Sequence, residues 1–299
     1  MKELMIAVSG LFGTRCTNKQ KERFICYMRE WARENNLKCV LDTGKIGHHP
    51  CRNIYLGNFK RAKTILTIPY DTATRMMWPG NLYYPVNARK SMIQNSISKG
   101  LDLLFAITLI VAYYLFVFRY SSAEGTAGVL RIIGMLLVTL LGAKTIHGWA
   151  NRNNYARNSA SIVVALECIK RLGQDSIVVA LLDHSCCGFG GYHQLSDYLD
   201  RKGMKKKIIA LDCVASGQEL HLHSRQSAVV VEEVQSHLIN DEDRKQSIME
   251  LFPECRILTG GSRIDGETVI SNTRSGRDCQ IDLDKMERTV DIIYKLTGE

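Results

Sequence analysis

SIVVALLDHSCCGFGG, Ser176 to Gly191, is one apolar run that stops at an acidic residue and passes into a Gly-rich turn. An uninterrupted run of Ile, Val, Ala and Leu of this length predicts a strand buried on both faces. Its end carries Asp183, His184, Ser185, Cys186 and Cys187, and the carboxyl end of a strand is where open α/β sheets place ligands and chemistry. Two other stretches repeat the pattern. AKTILTIPYDT (Ala62 to Thr72) reads as a buried strand whose end bears Pro69 and Asp71, and KKKIIALDCVASG (Lys205 to Gly217) as one ending near Asp212.

Helical spacing separates these strands. NKQKERFICYMREWARENN (18–36) places Phe24, Met28 and Trp31 on one helical face, and KCVLDTG and NIYLGN follow as short strands. NSASIVVALECIKRL (158–172) and YHQLSDYLDRKG (192–203) read as helices. Toward the C-terminus, SAVVVEEVQSHL (227–238) and DRKQSIMELF (243–252) are predicted helices, RILTG (256–260) and TVIS (268–271) strands, and DKMERTVDIIYKL (284–296) the closing helix. Alternating apolar strands and helices indicate an α/β domain with a largely parallel sheet covered on both faces.

The middle of the chain has a different character. LLFAITLIVAYYLFVF (103–118) carries no charge and VLRIIGMLLVTLLGA (129–143) carries only Arg131, so the two runs predict a transmembrane helical hairpin once flanking residues such as Tyr120, Ala127 and Ile146 extend them. The competing expectation is a pair of buried core helices, against which stands the rarity of soluble helices that are apolar all round. Arg89, Lys90 and Lys99 precede the first run and Lys144, Arg152 and Arg157 follow the second. By the positive-inside rule both soluble segments face the cytoplasm, which makes this a multi-pass cell-membrane protein with two helices. The expected organisation is therefore 1–98 and 150–299 as two parts of one domain, with 99–149 as the hairpin. A formal charge of +9 then faces an anionic leaflet, so the expected partner is the lipid bilayer and not nucleic acid. The 45% hydrophobic and 23% charged composition excludes a disordered chain. Ten cysteines scattered through apolar segments, with Met1 to Gly10 too short for a secretory leader, are expected to be reduced thiols.

The order of segments resembles the zinc-dependent aminopeptidases of the aminopeptidase Y type, peptidase clan MH. In that family a strand ends in His-x-Asp-Thr, a helix opens with Asp-Asn-Ala-Ser-Gly, a strand ends in Asp-Gly-Glu-Glu before a Gly-rich turn, another ends in Leu-Asp-Met, and a final His precedes the last helix. The matching stretches here are PYDT (69–72), RNSAS (157–161), DHSCCGFGG (183–191), LDCVASG (211–217) and SNTRSG (271–276). The resemblance implies a three-layer αβα zinc-aminopeptidase-like domain with a largely parallel mixed sheet, interrupted by the hairpin. It also implies a binding cleft lined by Pro69, Asp71, Arg157, Asp183, Ser185, Cys186, Asp212 and Asn272.

The chemistry departs from the family. Pro69 stands at the first His position, Arg157 at the bridging Asp, Ser185 and Cys186 at the general-base and ligand Glu positions, and Asn272 at the last His. Of the five ligands only Asp212 remains, while Asp71 and Asp183 match supporting positions. A guanidinium stays protonated in proteins and puts a positive charge where two dications would share a carboxylate. The expectation is a degenerate, membrane-anchored pseudopeptidase that holds no metal or other cofactor, has no catalytic residue, and binds a peptide or a partner membrane protein. The alternative is an active hydrolase or acyltransferase of altered mechanism, using Cys186 with His184 as base, or a residual single-metal site of Asp183, Asp212, His184 and a cysteine. HLHS (221–224) is expected to face solvent, GHHP (47–50) to be a loop, LTGGS (258–262) to lack the Lys and helix of a phosphate loop, and KGMKKKI (202–208) to be a solvated turn.

Overall fold

Strand β3 (Thr64–Pro69) lies between β7 (Ile177–Leu182) and β8 (Lys207–Gly217), parallel to both, so the segments before and after the apolar hairpin interleave in one sheet. Every side chain of β3 and β7 is buried, as their continuous apolar character requires. This is a computed structural model, and it describes residues 1–76, 80–119, 125–225 and 233–298. In chain order it contains α1 (Lys2–Met5), α2 (Asn18–Glu34), β1 (Cys39–Ile46), β2 (His49–Leu56), β3, β4 (Thr74–Arg75), β5 (Leu82–Tyr83), α3 (Ala88–Tyr113) and α4 (Thr126–His147). There follow β6 (Trp149–Ala150), α5 (Ala160–Leu172), β7, α6 (Gly190–Arg201), β8, β9 (Glu219–Ser224), β10 (Gln235–Leu238), α7 (Asp241–Arg244), β11 (Arg256–Ile264), β12 (Glu267–Ser271) and α8 (Leu283–Thr297).

The main sheet runs β1-β2-β7-β3-β8-β11, and β11 then pairs through its first half with β9 and through its second with β12. β10 adds to β9 and β5 to β12, while β4 and β6 form a separate ribbon. Contacts among β7, β3, β8 and β11 are parallel, and β1-β2-β7 and the β11 hairpins are antiparallel, which makes the sheet mixed. Alternation along β3 sends Leu66 and Ile68 to a core shared with α2, α5 and α8, and Ile65 to one shared with α6. The result is three layers, with helices on both faces. Full burial of an aliphatic side chain such as Ile65, Leu66 or Ile68 stabilises the fold by roughly 1.5–3 kcal/mol. Helix α2 opens on a capping box in which Thr17 accepts from the Gln20 N–H and the Gln20 side chain accepts from the Thr17 N–H.

Several local expectations change. Gln235–Leu238 is a strand paired with β9, and residues 227–232 of the predicted helix lie outside the described residues, as do 120–124 of the hairpin connection. The predicted helix over 243–252 breaks at Ser247, whose extended backbone and Oγ, accepting from the Met249 N–H, start a new turn. His221 and His223 are buried rather than solvent-facing, because β9 is covered by β11 on one side and β10 on the other. GHHP is the tip of the β1–β2 hairpin, where Gly47 takes the positive φ of 58° that a two-residue turn demands.

The helix that carries the first apolar run begins at Ala88, ahead of that run. With its continuation to Val117 the first helix is 30 residues long and the second is 22, both long and apolar enough to cross a membrane. They are not core helices of the α/β layers: Leu104, Leu136 and Leu140 are all more than half exposed. The two pack on each other through small residues. A Cβ on Gly142 would stand 3.4 Å from that of Ala106, and at Gly134 it would collide with Tyr113, whose hydroxyl donates to Arg131 O at 3.1 Å.

Candidate functional site

Because β7 and β8 leave β3 on opposite sides, the strand order reverses at β3, and the carboxyl ends of these three strands form the crevice in which open α/β sheets bind ligands. Asp71, just past β3, ties the crevice together. Its Oδ1 accepts the backbone N–H groups of Ser185 at 2.9 Å and Cys186 at 3.0 Å, which fixes the loop after β7 against the end of β3. Asp183 turns toward α2 and β2. It is fully buried, its Oδ1 lies 2.5 Å from Lys21 Nζ and accepts the His184 N–H at 2.9 Å, and its Oδ2 accepts the Arg52 N–H at 3.2 Å. His184 makes the chain reversal with φ of 48°, and its Nε2 lies 3.1 Å from Pro50 O on β2. The imidazole is thus engaged with the β1–β2 hairpin, whereas Cys186 Sγ lies 3.7 Å from Cys187 Sγ.

Arg157 sits in the wide turn Tyr155–Ser159 before α5, which Asp278 caps by accepting the N–H groups of Ala156 at 2.8 Å and Arg157 at 3.3 Å. Burial pushes the Asp278 carboxyl up to about 6, partly opposed by those N–H groups and by the Arg157 charge. The Arg157 guanidinium is buried. Its Nη2 donates to Cys186 O at 2.5 Å, its central carbon lies 3.9 Å from the centroid of the Tyr83 ring, and Nη1 has no hydrogen-bond partner. Burial disfavours its charge, but the acidic groups around it, Tyr83, Cys213, Cys187 and Asp212, outweigh this and raise it above the ordinary arginine value. The Tyr83 hydroxyl donates to Asp212 Oδ2, and the Cys213 thiol donates to Oδ1 at 3.1 Å. Burial and the neighbouring Asp212 carboxylate hold the Tyr83 phenol well above its usual range. Tyr83 therefore lies between Arg157 and Asp212, stacked on the one and bonded to the other.

On the outer side of Arg157 is a pocket of about 100 Å³ lined by Tyr83, Ser185, Cys186, Cys187 and Arg274, with one wall from the first turns of α3. Arg274 is held by neutral oxygens, Thr74 O, Thr74 Oγ1 and Asn95 Oδ1, at 2.7–3.0 Å. The two thiols differ. The hydrogen bond to Cys187, together with burial, raises Cys186 well above the usual thiol range. The same bond, with the charges of Arg157 and Arg274, brings Cys187 down to about 6.

The structure thus gathers Arg157, Ser185 and Cys186 at one pocket and keeps Asp71 and Asp212 at its back, engaged with backbone N–H groups and with Tyr83. Pro69 is buried at the end of β3, where its carbonyl accepts from Asn158 Nδ2 at 3.0 Å. Asn272, exposed with φ of 63°, lines a separate surface depression with Ser216 and Asp282. Tyr83, Arg274, Lys21 and Asp278 are the residues the sequence reading did not single out. The Tyr83-Tyr84-Pro85 run before the hairpin was the available signal. Among the described residues no group of three His, Cys, Asp or Glu side chains is placed to hold a metal ion.

No protein-family model and no curated protein matches the sequence. Solved structures share the fold. The glutaminyl cyclase of Porphyromonas gingivalis superposes with a TM-score of 0.57 at 14% identity, over 98% of this chain and 95% of that one. The glutaminyl cyclase of Macrostomum lignano gives 0.53 at 8% identity, over 98% and 87%. The LapA aminopeptidase of Legionella pneumophila gives 0.52 at 6% identity, over 97% and 67%. At these identities the likeness establishes the fold alone, a mixed α/β sheet of the zinc-aminopeptidase-like kind.

Proposed function

We propose that this chain is a membrane-anchored pseudopeptidase, an aminopeptidase-like domain that binds a peptide or a partner membrane protein without zinc-dependent hydrolysis. The observation that carries the reading is the buried Arg157 guanidinium, seated against Tyr83 and Cys186 O at the position that the family resemblance gives to a metal-bridging carboxylate. Two-metal sites need imidazole and carboxylate donors with an open position. Here the available donors are Asp212, closed over by Tyr83, and Asp71, spent on two N–H groups. These residues do not fit a zinc pair, and no hydrolytic step is assigned. Thiol catalysis by Cys186 is the rival reading, but that thiol is raised and His184 is bonded toward Pro50.

The two long apolar helices supply the anchor, and the basic residues flanking them favour both soluble segments on the cytoplasmic side. The test uses the purified full chain with aminoacyl reporters and with peptides bearing an N-terminal glutamine, the latter because two similar folds belong to glutaminyl cyclases. Expected are no amino-acid release and no cyclisation, with or without added zinc, and unchanged function in cells for Cys186→Ala. Turnover abolished by a chelator and by Asp212→Ala would overturn the reading.

A further inference from the structure

Arg157 and Arg274 both line the pocket, and among the described residues its lining includes no Asp or Glu. Both side chains are at least nine-tenths buried, at 4% and 7% exposure. Their hydrogen bonds go to neutral oxygens, and Arg157 Nη1 makes none. Buried arginines are normally matched by carboxylate or phosphate, whose planar or tetrahedral oxygens suit the guanidinium fork. Neither guanidinium at the mouth of the sheet crevice is hydrogen-bonded to a carboxylate, so both keep the geometry an oxyanion suits.

We propose that this pocket binds an oxyanion, a phosphate or carboxylate group on the narrow end of its ligand, so that the arginines take the place of metal charge. This rests on the reading of the cleft as metal-free. A space of about 100 Å³ is enough for the oxyanion group. Asn81 and Asn95 add neutral polar groups to the lining, and Tyr84, Pro85 and Met92 add apolar ones through which the rest of the ligand would leave. The last of these belongs to α3, which continues into the apolar run from Leu103. From Asn95 to Leu103 is about 12 Å along the helix at about 1.5 Å per residue, so the pocket lies close to the interfacial layer if the hairpin spans a bilayer. The oxyanion can therefore come from a phospholipid headgroup or from solution, and the chemistry of recognition is the same.

Cys187 lines the pocket and reports on it. The full chain in detergent would be labelled with iodoacetamide in increasing sodium phosphate or sodium acetate, against sodium chloride at matched ionic strength. Expected is saturable protection of Cys187, at least tenfold slower labelling, by one of the two oxyanions and not by chloride. Arg274→Gln should weaken the protecting anion at least tenfold, and Arg157→Lys, which keeps the charge and loses the fork, should weaken it less than Arg157→Met. If the Met variant fails to fold, Arg274→Gln alone carries the comparison. Reconstitution separates the sources: protection in phosphatidic acid vesicles but not in phosphatidylcholine assigns a lipid headgroup, and protection by added phosphate in phosphatidylcholine assigns a soluble anion. No saturable protection by any oxyanion overturns the proposal. A parallel zinc titration keeps the two readings apart, since stoichiometric zinc binding would defeat the metal-free reading, whereas neither zinc nor oxyanion binding would defeat this proposal only.

Discussion

Replacing Lys21 by Met leaves the Asp183 carboxylate buried without its cation. Lys21 and Asp183 are 4% and 0% exposed at the side chain and 2.5 Å apart, and two backbone N–H groups, of His184 and Arg52, remain on the carboxylate after the substitution. Breaking a buried pair typically costs about 3–5 kcal/mol. With the two N–H groups retained, the expected loss is about 3–4 kcal/mol at pH 7. Urea unfolding of the full chain in mild detergent, followed by tryptophan fluorescence, with Trp31 buried on the same helix, measures it. A loss below about 1 kcal/mol at pH 7 would refute the reasoning.

Three further expectations use other parts of the molecule. Asp278, raised to about 6 by burial, binds a proton more tightly when folded, so its contribution to stability is present below about pH 4 and is lost as pH rises through 6; Asp278→Asn should flatten that arm of the unfolding profile. Cys187, lowered to about 6, should be alkylated faster at pH 6.5 than Cys26 or Cys279, with the rate falling as pH drops below 6, as peptide mapping of labelled protein would show. Reporter fusions after Lys99 and after Trp149 should both read cytoplasmic and one within the connection between the helices should read outside; opposite signals at Lys99 and Trp149 would remove the hairpin.

The strands were legible because burial on both faces writes itself as unbroken apolar runs: β3, β7 and β8 stand where AKTILTIPYDT, SIVVALLD and KKKIIALDCVASG place them. The long helices were legible as unbroken apolar runs too, though their side chains are largely exposed, with α3 extended backward because its first turns, polar in sequence, carry on from the Asn87 cap, whose side chain accepts from the Lys90 N–H. What failed was amphipathic and local. Gln235–Leu238 holds no strand signal of its own, and its pairing with β9 is a tertiary choice. The site was legible only as positions. Ser185 and Cys186 follow the end of β7 as their place in the sequence indicates, and Arg157 reaches the same pocket from the turn before α5, but that Asp183 turns to Lys21, and that Tyr83 closes over Asp212, depends on contacts 162 and 129 residues apart in the chain. No periodicity encodes such pairs. A two-residue strand, β5, delivers Tyr83 by pairing with β12, and it is too short to leave a pattern.

The central claim, that a guanidinium occupies the place of metal charge in this fold, is tested most directly by elemental analysis of the full chain after incubation with excess zinc and removal of the unbound metal. Expected is far less than one equivalent of zinc per chain, unchanged in Tyr83→Phe, where Asp212 is released but Arg157 stays. Two tightly held equivalents per chain would contradict the claim.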